Sequence, residues 1–215
     1  MTGRNWFFAA LARHAREHGG ELAEWLNEAD TAARCQLAAV GSDDRARLPR
    51  PDGAGMWAED GWATSFLLEY DTGTEHLPVL AAKLDGYQVL AAGLAWHEQP
   101  CPVLLFCFVS PRREQAARRA LAATREAAGL RIATAALDPR TTSPAGPVWL
   151  PLHWTGGAVR LTSLEHALPD PWQDYRQQRA RERREAAERE QALRRLDDDD
   201  DDDTAWAATG EAGTW

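Results

Sequence analysis

Residues 50–71 read RPDGAGMWAEDGWATSFLLEYD, two strand-like runs that flank an Asp60-Gly61 dipeptide. An Asp-Gly pair between such runs is the strongest short-range signal for a β-hairpin with a two-residue loop. If Asp60 and Gly61 form the loop, counting outward along both strands places Asp52 directly opposite Glu69, unless a bulge at Gly53 or Gly55 shifts Asp52 by one residue and turns it away. The hairpin is therefore expected to bring two carboxylates together at its open end.

The second strand of the hairpin has two different faces, because successive side chains point in opposite directions. The apolar face is expected to pack on the core. It carries Trp62, Thr64, Phe66, Leu68 and Tyr70. The opposite face collects Asp52, Glu69 and Asp71 at one end. Directly opposed like charges destabilise a sheet unless a cation lies between them, so the hairpin predicts a cation at this end.

Lys83 is the single lysine of the chain, and every other residue among the 24 Lys and Arg is an arginine. Codon bias explains the scarcity of lysine, but an ammonium kept in such a chain favours a role that a guanidinium does not fill. Pro78 suits the first position of a helix that is predicted to run to about Leu94. Lys83 lies beside the apolar stripe of this helix, so its long side chain can bend back toward the carboxylates.

The remaining pattern predicts an α/β fold with a mixed sheet flanked by helices. Helices are predicted over residues 5–18, 78–94, 111–129 and 164–168. Outside the hairpin, strands are predicted over residues 22–26, 103–109, 130–136 and 147–152.

Composition excludes several classes of protein. The formal net charge of −9 excludes a basic protein that coats nucleic acid. A run of about 18 apolar residues and the layout of a signal peptide are both missing from the sequence, so we expect a cytoplasmic protein without a membrane partner. The three cysteines form no Cys-x-x-Cys pair, which favours buried thiols over a metal site.

Charge divides the chain into three segments: a folded domain over residues 1–170, a charged helix over 171–196 and an acidic tail over 197–215. Residues 173–196 hold eight arginines and five acidic residues without Gly or Pro, which predicts a solvated helix. The Asp run that follows is expected to end that helix by self-repulsion and to begin a disordered tail. The tail favours a solubilising or autoinhibitory role, and a protein partner whose basic DNA-binding surface it occupies is the alternative.

The chain is predicted to have the order helix, strand hairpin, helix and buried strand. Within this order it carries Pro51-Asp52, then Glu69-Tyr70-Asp71 and then Lys83. This combination resembles the PD-(D/E)xK restriction-endonuclease-like superfamily. The resemblance implies an α-β-β-β-α-β core. More narrowly, FLLEYDTGTEHLPVLAAKLDGY, VLLFCFVSPRREQAARRAL and GPVWLPL resemble the replication-relaxation proteins of actinobacterial plasmids and integrated elements.

This resemblance implies a DNA-processing accessory of a plasmid or mobile element that acts in replication or DNA relaxation by Mg²⁺-dependent phosphodiester cleavage. Asp52, Glu69 and Asp71 would then be the metal ligands, and Lys83 would complete the catalytic set by stabilising charge on the phosphate. Two further acidic residues, Glu28 and Glu75, are outer candidates for the same cluster.

The sequence departs from the superfamily pattern because Asp71 stands where the motif has lysine, so cleavage requires Lys83 to substitute from the next helix. A catalytically inert nuclease-fold module that regulates a protein partner or a DNA-bound complex is therefore the alternative. Replication-relaxation proteins also usually carry a winged helix-turn-helix region before this domain. Here the resemblance begins almost at the first residue, which favours either a late start or a shortened member that contacts DNA through a partner.

Five arginines are candidates for contacts with DNA phosphates: Arg50, Arg112, Arg113, Arg118 and Arg119. The last four lie at the start of the helix predicted after the central strand. A solvated helix face is the alternative interpretation of these four.

Overall fold

The structure is a computed structural model that describes residues 3–38 and 47–208. The chain divides after Gln173 into two compact units. In the first unit the elements are α1 (Gly3–His18), β1 (Glu21–Asn27), α2 (Glu28–Ala38), β2 (Gly53–Glu59), β3 (Trp62–Asp71), α3 (Leu77–Trp96), β4 (Val103–Phe108), α4 (Pro111–Ala122), β5 (Ile132–Ala136), β6 (Leu150–Pro151) and α5 (Leu164–Ala167). A single helix, α6 (Gln173–Ala208), accounts for the described part of the second.

One six-stranded mixed sheet, with strands in the order β1 to β6, forms the centre of the first unit. β1, β2 and β3 are antiparallel neighbours, β3, β4 and β5 run parallel, and β6 returns antiparallel to β5. The two parallel connections pass through α3 and α4, as crossovers between parallel strands require. The α/β class with a mixed sheet is therefore confirmed.

The β2–β3 hairpin has the predicted register. Paired residues run from Glu59 with Trp62 to Gly53 with Leu68. Asp60 and Gly61 both adopt positive φ angles, 54° and 79°, which is the backbone that the favoured two-residue turn requires.

The sheet is covered on both faces, so both faces of β3 are buried, whereas the sequence predicted a core on its apolar face alone. On one face Phe66 and Leu68 pack with Phe7 and Leu11 of α1. On the other face Leu67 packs with side chains of α3 and α4. β4 is buried along its whole length because it lies between both layers.

Trp62 departs from the predicted core face. It lies beside the hairpin turn and is 51% exposed. Its ring packs edge-on against His166, with centroids 4.1 Å apart. The three cysteines are buried thiols, as expected, and burial raises the pKa of Cys35 to about 11.

In the first unit, α2 and α4 depart most from the predicted helices. α2 was not predicted, although Asn27 caps it by accepting the Asp30 N–H at 3.0 Å, a common helix-start signal. α4 ends at Ala122 instead of continuing to residue 129. The Thr124 hydroxyl donates to the Leu121 carbonyl, and a short 3-10 helix, Glu126–Gly129, follows.

In the second unit, α6 runs through Asp197–Asp203 to Ala208, past the predicted end at residue 196. Extending an established helix by one residue costs little compared with nucleating it. The earlier part of α6 is stabilised by ion pairs four residues apart, including the Glu185–Arg189 pair, at 3.2 Å. Residues 209–215 of the predicted tail lie outside the described residues. Within residues 3–38 and 47–208, no helix is long and apolar enough to cross a membrane.

Candidate functional site

Asp52 lies one residue before β2 and ends the β2–β3 ladder. Its backbone N–H donates to the Leu68 carbonyl, and its Oδ2 accepts the Tyr70 backbone N–H, both at 2.8 Å. The regular pairing stops at Gly53, so Asp52 does not extend the ladder to face Glu69 as the register count predicted. The carboxylate instead takes the place of a main-chain acceptor for β3, which avoids a direct pair of like charges.

Arg4 of α1 supplies a cation at Asp52. Its Nη1 lies 2.9 Å from Asp52 Oδ1 and 2.6 Å from Glu28 Oε2. Hydrogen bonds to Asp52 and then to Glu28 raise the pKa of the Arg4 guanidinium. Glu28, an outer candidate, therefore shares one guanidinium with Asp52.

Glu69 is buried on β3 and receives two donors from α3. Lys83 Nζ lies 2.9 Å from its Oε2, and the Tyr87 hydroxyl donates to its Oε1 at 2.5 Å. Lys83 and Tyr87 are four residues apart and so lie on one face of the helix. The prediction that Lys83 bends back to the strand end agrees with this geometry. Lys83 Nζ also lies 3.0 Å from Glu75 Oε2, which brings the second outer candidate to the same cation.

Burial is the largest single influence on the pKa of each group here, but at Lys83 the neighbouring carboxylates together outweigh it. Burial, with a smaller contribution from Asp52, raises the pKa of Glu69 against the opposing effect of Lys83 and Tyr87. Burial alone would lower the pKa of Lys83, but Glu69 and Glu75 together raise it. Burial and the neighbouring Glu69 raise the pKa of Tyr87. At neutral pH the lysine is an ammonium and the tyrosine is a neutral hydrogen-bond donor.

Asp71 has different partners from Asp52 and Glu69. Arg113 of α4 binds its Oδ2 through Nε at 2.9 Å and Nη2 at 2.7 Å, and the Gly73 N–H donates to its Oδ1. Arg113 also donates to the Glu75 carbonyl. These contacts tie the turn after β3 to the start of α4. None of the partners of Asp71 is shared with the other two predicted metal ligands.

Arg50 lines two cavities at this end of the hairpin. One, of about 480 Å³, is also bordered by Arg4, Trp25 and Asp52. The other, of about 410 Å³, is also bordered by Lys83 and Glu69. Arg50 is exposed and makes no hydrogen bond or ion pair with the described residues.

The wall of the second cavity depends on a glycine that the sequence analysis did not single out. A Cβ on Gly86 of α3 would collide with the Arg47 carbonyl and come within 3.2 Å of the Pro49 backbone nitrogen. Glycine lets residues 47–49 pass directly over the helix. The sequence analysis also did not single out three other residues at these cavities, Arg4, Tyr87 and Trp25. Their roles depend on contacts between distant parts of the chain.

The four candidate arginines of α4 divide into two pairs. Arg113 is bound to Asp71, and Arg118 donates to the carbonyls of Leu150 and Pro151, so both hold the fold together. Arg112 and Arg119 are exposed and remain candidates for contacts with phosphate.

The region that contains Asp52, Glu69 and Lys83 is similar to a known family of proteins. Residues 2–104 match the replication-relaxation family model. The match covers just under half of the chain, from α1 into the start of β4. No curated protein and no solved structure matches the chain. The resemblance to replication-relaxation proteins is therefore supported over the part of the chain that carries the candidate site.

Among the described residues, no group of three or more His, Cys, Asp or Glu side chains is arranged to hold a metal ion. The carboxylates are instead distributed over Arg4, Lys83 and Arg113. Each of the three carboxylates therefore has a basic side chain of the protein beside it.

Proposed function

We propose that this protein is a DNA-processing accessory that acts in the replication or relaxation of a plasmid or mobile element, and that its first unit is a restriction-endonuclease-like domain. The observation that carries the proposal is that Asp52, Glu69 and Lys83 line the two cavities bordered by Arg50, within the region that matches the replication-relaxation family. Helix α1, the three antiparallel strands, α3 and β4 have the element order of such a core, with α2 inserted between β1 and β2.

Mg²⁺ fits the site in one restricted form. Mg²⁺ is commonly bound through one or two carboxylates together with phosphates of the substrate. Asp52 and Glu69 would provide those two carboxylates, whereas Asp71 is already bound to Arg113. The ion would polarise a phosphate and lower the pKa of a bound water.

The surrounding side chains have roles that follow from their contacts. Tyr87 fixes the orientation of Glu69, and Arg4 fixes that of Asp52. The Lys83 ammonium lies beside the Glu69 carboxylate at a cavity wall, where it can neutralise charge on a phosphate. Arg50, exposed at the border of both cavities, can hold a neighbouring phosphate.

A second candidate is a catalytically inert nuclease-fold module that regulates a protein partner or a DNA-bound complex. One observation favours it: Asp52, Glu69 and Asp71 each have a protein cation as partner. Their charges are therefore balanced without a metal ion.

Nicking of supercoiled plasmid DNA by the full chain with Mg²⁺ or Mn²⁺ separates the two candidates. We expect nicking that Glu69→Gln and Lys83→Ala abolish and that Glu17→Gln preserves. Glu17 is an exposed carboxylate on α1 outside both cavities. Calorimetric titration with Mn²⁺ should show binding that Asp52→Asn weakens. A folded wild-type protein that neither nicks DNA nor binds Mn²⁺ would establish the inert module.

A gel-shift titration with a DNA duplex then tests the part of the proposal that does not need catalysis. We expect binding that weakens as salt concentration rises, because released counterions drive such association. A chain that binds neither duplex nor single-stranded DNA would overturn the proposal of a DNA-processing role.

A further inference from the structure

The cavity of about 480 Å³ beside Asp52 contains an exposed aromatic residue, Trp25. Trp25 lies on β1, the edge strand of the sheet, and 54% of it is exposed. A large aromatic side chain that is left half exposed at the border of a polar cavity can stack on a ligand. The cavity volume lies within the usual range of small-ligand sites, about 300–1,000 Å³.

The Trp25 ring is supported from inside the protein. Its centroid lies 5.3 Å from that of Phe8, with the two planes 31° apart. Phe8 is buried and packs in turn on Phe66 of β3. Trp25 is therefore held by the core, so stacking a ligand on it requires little further ordering of the side chain.

The side chains around this cavity include a cation for an anionic nucleotide. Glu28 and Asp52 share Arg4, whose single positive charge balances one of their two negative charges. Arg50 is exposed at the cavity border and makes no ion pair with the described residues, which leaves its guanidinium available for a phosphate. Asn5 adds an exposed amide that can both donate and accept a hydrogen bond.

We propose that this cavity binds an unpaired nucleobase of DNA. Trp25 stacks on the base, Asn5 hydrogen-bonds its edge, and Arg50 binds the adjacent phosphate. This inference rests on the proposed DNA-processing function and names the form of DNA that the site takes. It places a single-stranded or locally unpaired nucleotide next to Asp52.

Stacking on Trp25 requires an exposed base face, and in a duplex both faces of each base are covered by its neighbours. Single-stranded DNA presents these faces at no cost, whereas a paired base must first be unstacked at a cost of a few kcal/mol. The protein is therefore expected to bind single-stranded DNA more tightly than a blunt duplex of the same length.

Fluorescence anisotropy with labelled oligonucleotides tests the proposal on the full chain. We compare a thymidine oligonucleotide with a blunt duplex of equal length at one fixed salt concentration. Trp25→Ala should weaken binding of the single strand by about tenfold, as expected for loss of one base–aromatic stack, and leave duplex binding within twofold. Trp25→Phe should retain most of the affinity because a phenyl ring also stacks.

Trp62→Ala is the matched control. Trp62 has nearly the same exposure, 51%, but lies beside the hairpin turn, at the opposite end of β2 and β3 from Asp52. Its replacement should leave both affinities unchanged. If Trp62→Ala weakens single-strand binding as much as Trp25→Ala does, the loss is not specific to this cavity and the inference is overturned.

The other outcomes separate this inference from the proposed function. If the wild-type chain binds DNA and Trp25→Ala binds the single strand equally well, the nucleobase site is overturned and the DNA-processing role stands. If the wild-type chain binds neither oligonucleotide, the proposed function itself fails.

Photochemical cross-linking gives a second readout that does not depend on affinity. A single strand that carries 5-iododeoxyuridine should cross-link to the peptide containing Trp25, identified by mass spectrometry. Cross-links that map to other peptides and leave this one unmodified would contradict the assignment.

Discussion

Glu69 and Asp71 lie two residues apart on the same face of β3, and each carboxylate binds a basic side chain from a following helix. Asp71 is bound by Arg113, which approaches with two nitrogens and also donates to a main-chain carbonyl. Glu69 is bound by Lys83 through one nitrogen that also serves Glu75. The Arg113 side chain is 19% exposed and the Lys83 side chain is 35% exposed.

The two ion pairs differ in rigidity and in access to solvent. An arginine with several fixed donors makes a rigid joint between β3 and α4. A lysine with one point charge, shared by two carboxylates at the wall of a cavity, can be reached by a ligand. We therefore assign Asp71 to the fold and Glu69 to the candidate site.

The largest expected loss in the free energy of unfolding comes from breaking the Arg113–Asp71 ion pair. Arg113→Ala leaves the Asp71 carboxylate buried without its cation, and removing one partner of a buried ion pair commonly costs about 3 kcal/mol of the free energy of unfolding. Urea denaturation followed by circular dichroism measures this loss.

Arg112→Ala is the control for the first prediction. Arg112 precedes Arg113 on α4 but is exposed, so its removal should change the free energy of unfolding by no more than about 0.5 kcal/mol. Equal effects of the two substitutions would show that the Asp71 pair does not join the strand to the helix.

Lys83→Ala should have a smaller effect on stability, about 1 kcal/mol, because solvent screens a cation that is one-third exposed. Glu69 also keeps the hydrogen bond from Tyr87. A double-mutant cycle with Glu69→Gln isolates the coupling between the two charges. A loss for Lys83→Ala as large as that for Arg113→Ala would remove the contrast between the two ion pairs.

This contrast could be predicted only in part from the sequence. The hairpin register follows from local turn chemistry, and the position of Lys83 follows from helical periodicity, so the approach of Lys83 to Glu69 was within reach. The sequence could not predict which carboxylate is bound into the fold, because the Arg113–Asp71 pair joins residues 42 positions apart. The turn after β3 and the packing of α4 together bring Arg113 to Asp71.

The identity of the cation at Asp52 could not be predicted from the sequence either, because the two residues are again far apart in the chain. The alternation of β3 predicts that some positive charge is needed near Asp52, but both a metal ion and a side chain satisfy that need. Arg4 lies 48 positions from Asp52, on a helix whose orientation is fixed by the packing of its buried apolar face. Trp25 could likewise be placed on a strand from its neighbours, but not beside a cavity.

The pH dependence of stability should report the burial of Glu69. Its pKa is raised in the folded state, so the folded chain holds this proton more tightly than the unfolded chain. The stabilising contribution of the protonated form is complete below the unfolded value, about 4.5, and is lost as pH rises through the folded pKa. Wild-type stability should therefore fall relative to Glu69→Gln as pH rises through this window.

Urea denaturation of both proteins at a series of pH values from 4 upward, at constant ionic strength, measures this difference. Lys83 stays charged throughout the range because its pKa is raised above 10.5, so it does not contribute to the change. A difference that grows in favour of the wild-type protein with rising pH would mean that Lys83 and Tyr87 outweigh burial at Glu69.

The smallest effect on stability is expected for Arg50→Ala, within about 0.5 kcal/mol, because Arg50 is exposed and bound to no described residue. Its effect should appear in DNA binding. Loss of one phosphate contact reduces the magnitude of the slope of log affinity against log salt concentration by about 1. Arg125→Ala is the control, since Arg125 is 95% exposed and borders neither cavity. If Arg50→Ala leaves the dependence of affinity on salt concentration unchanged, the DNA lies away from both cavities. The Glu69–Lys83 pair at the cavity wall would then face something other than a phosphate backbone.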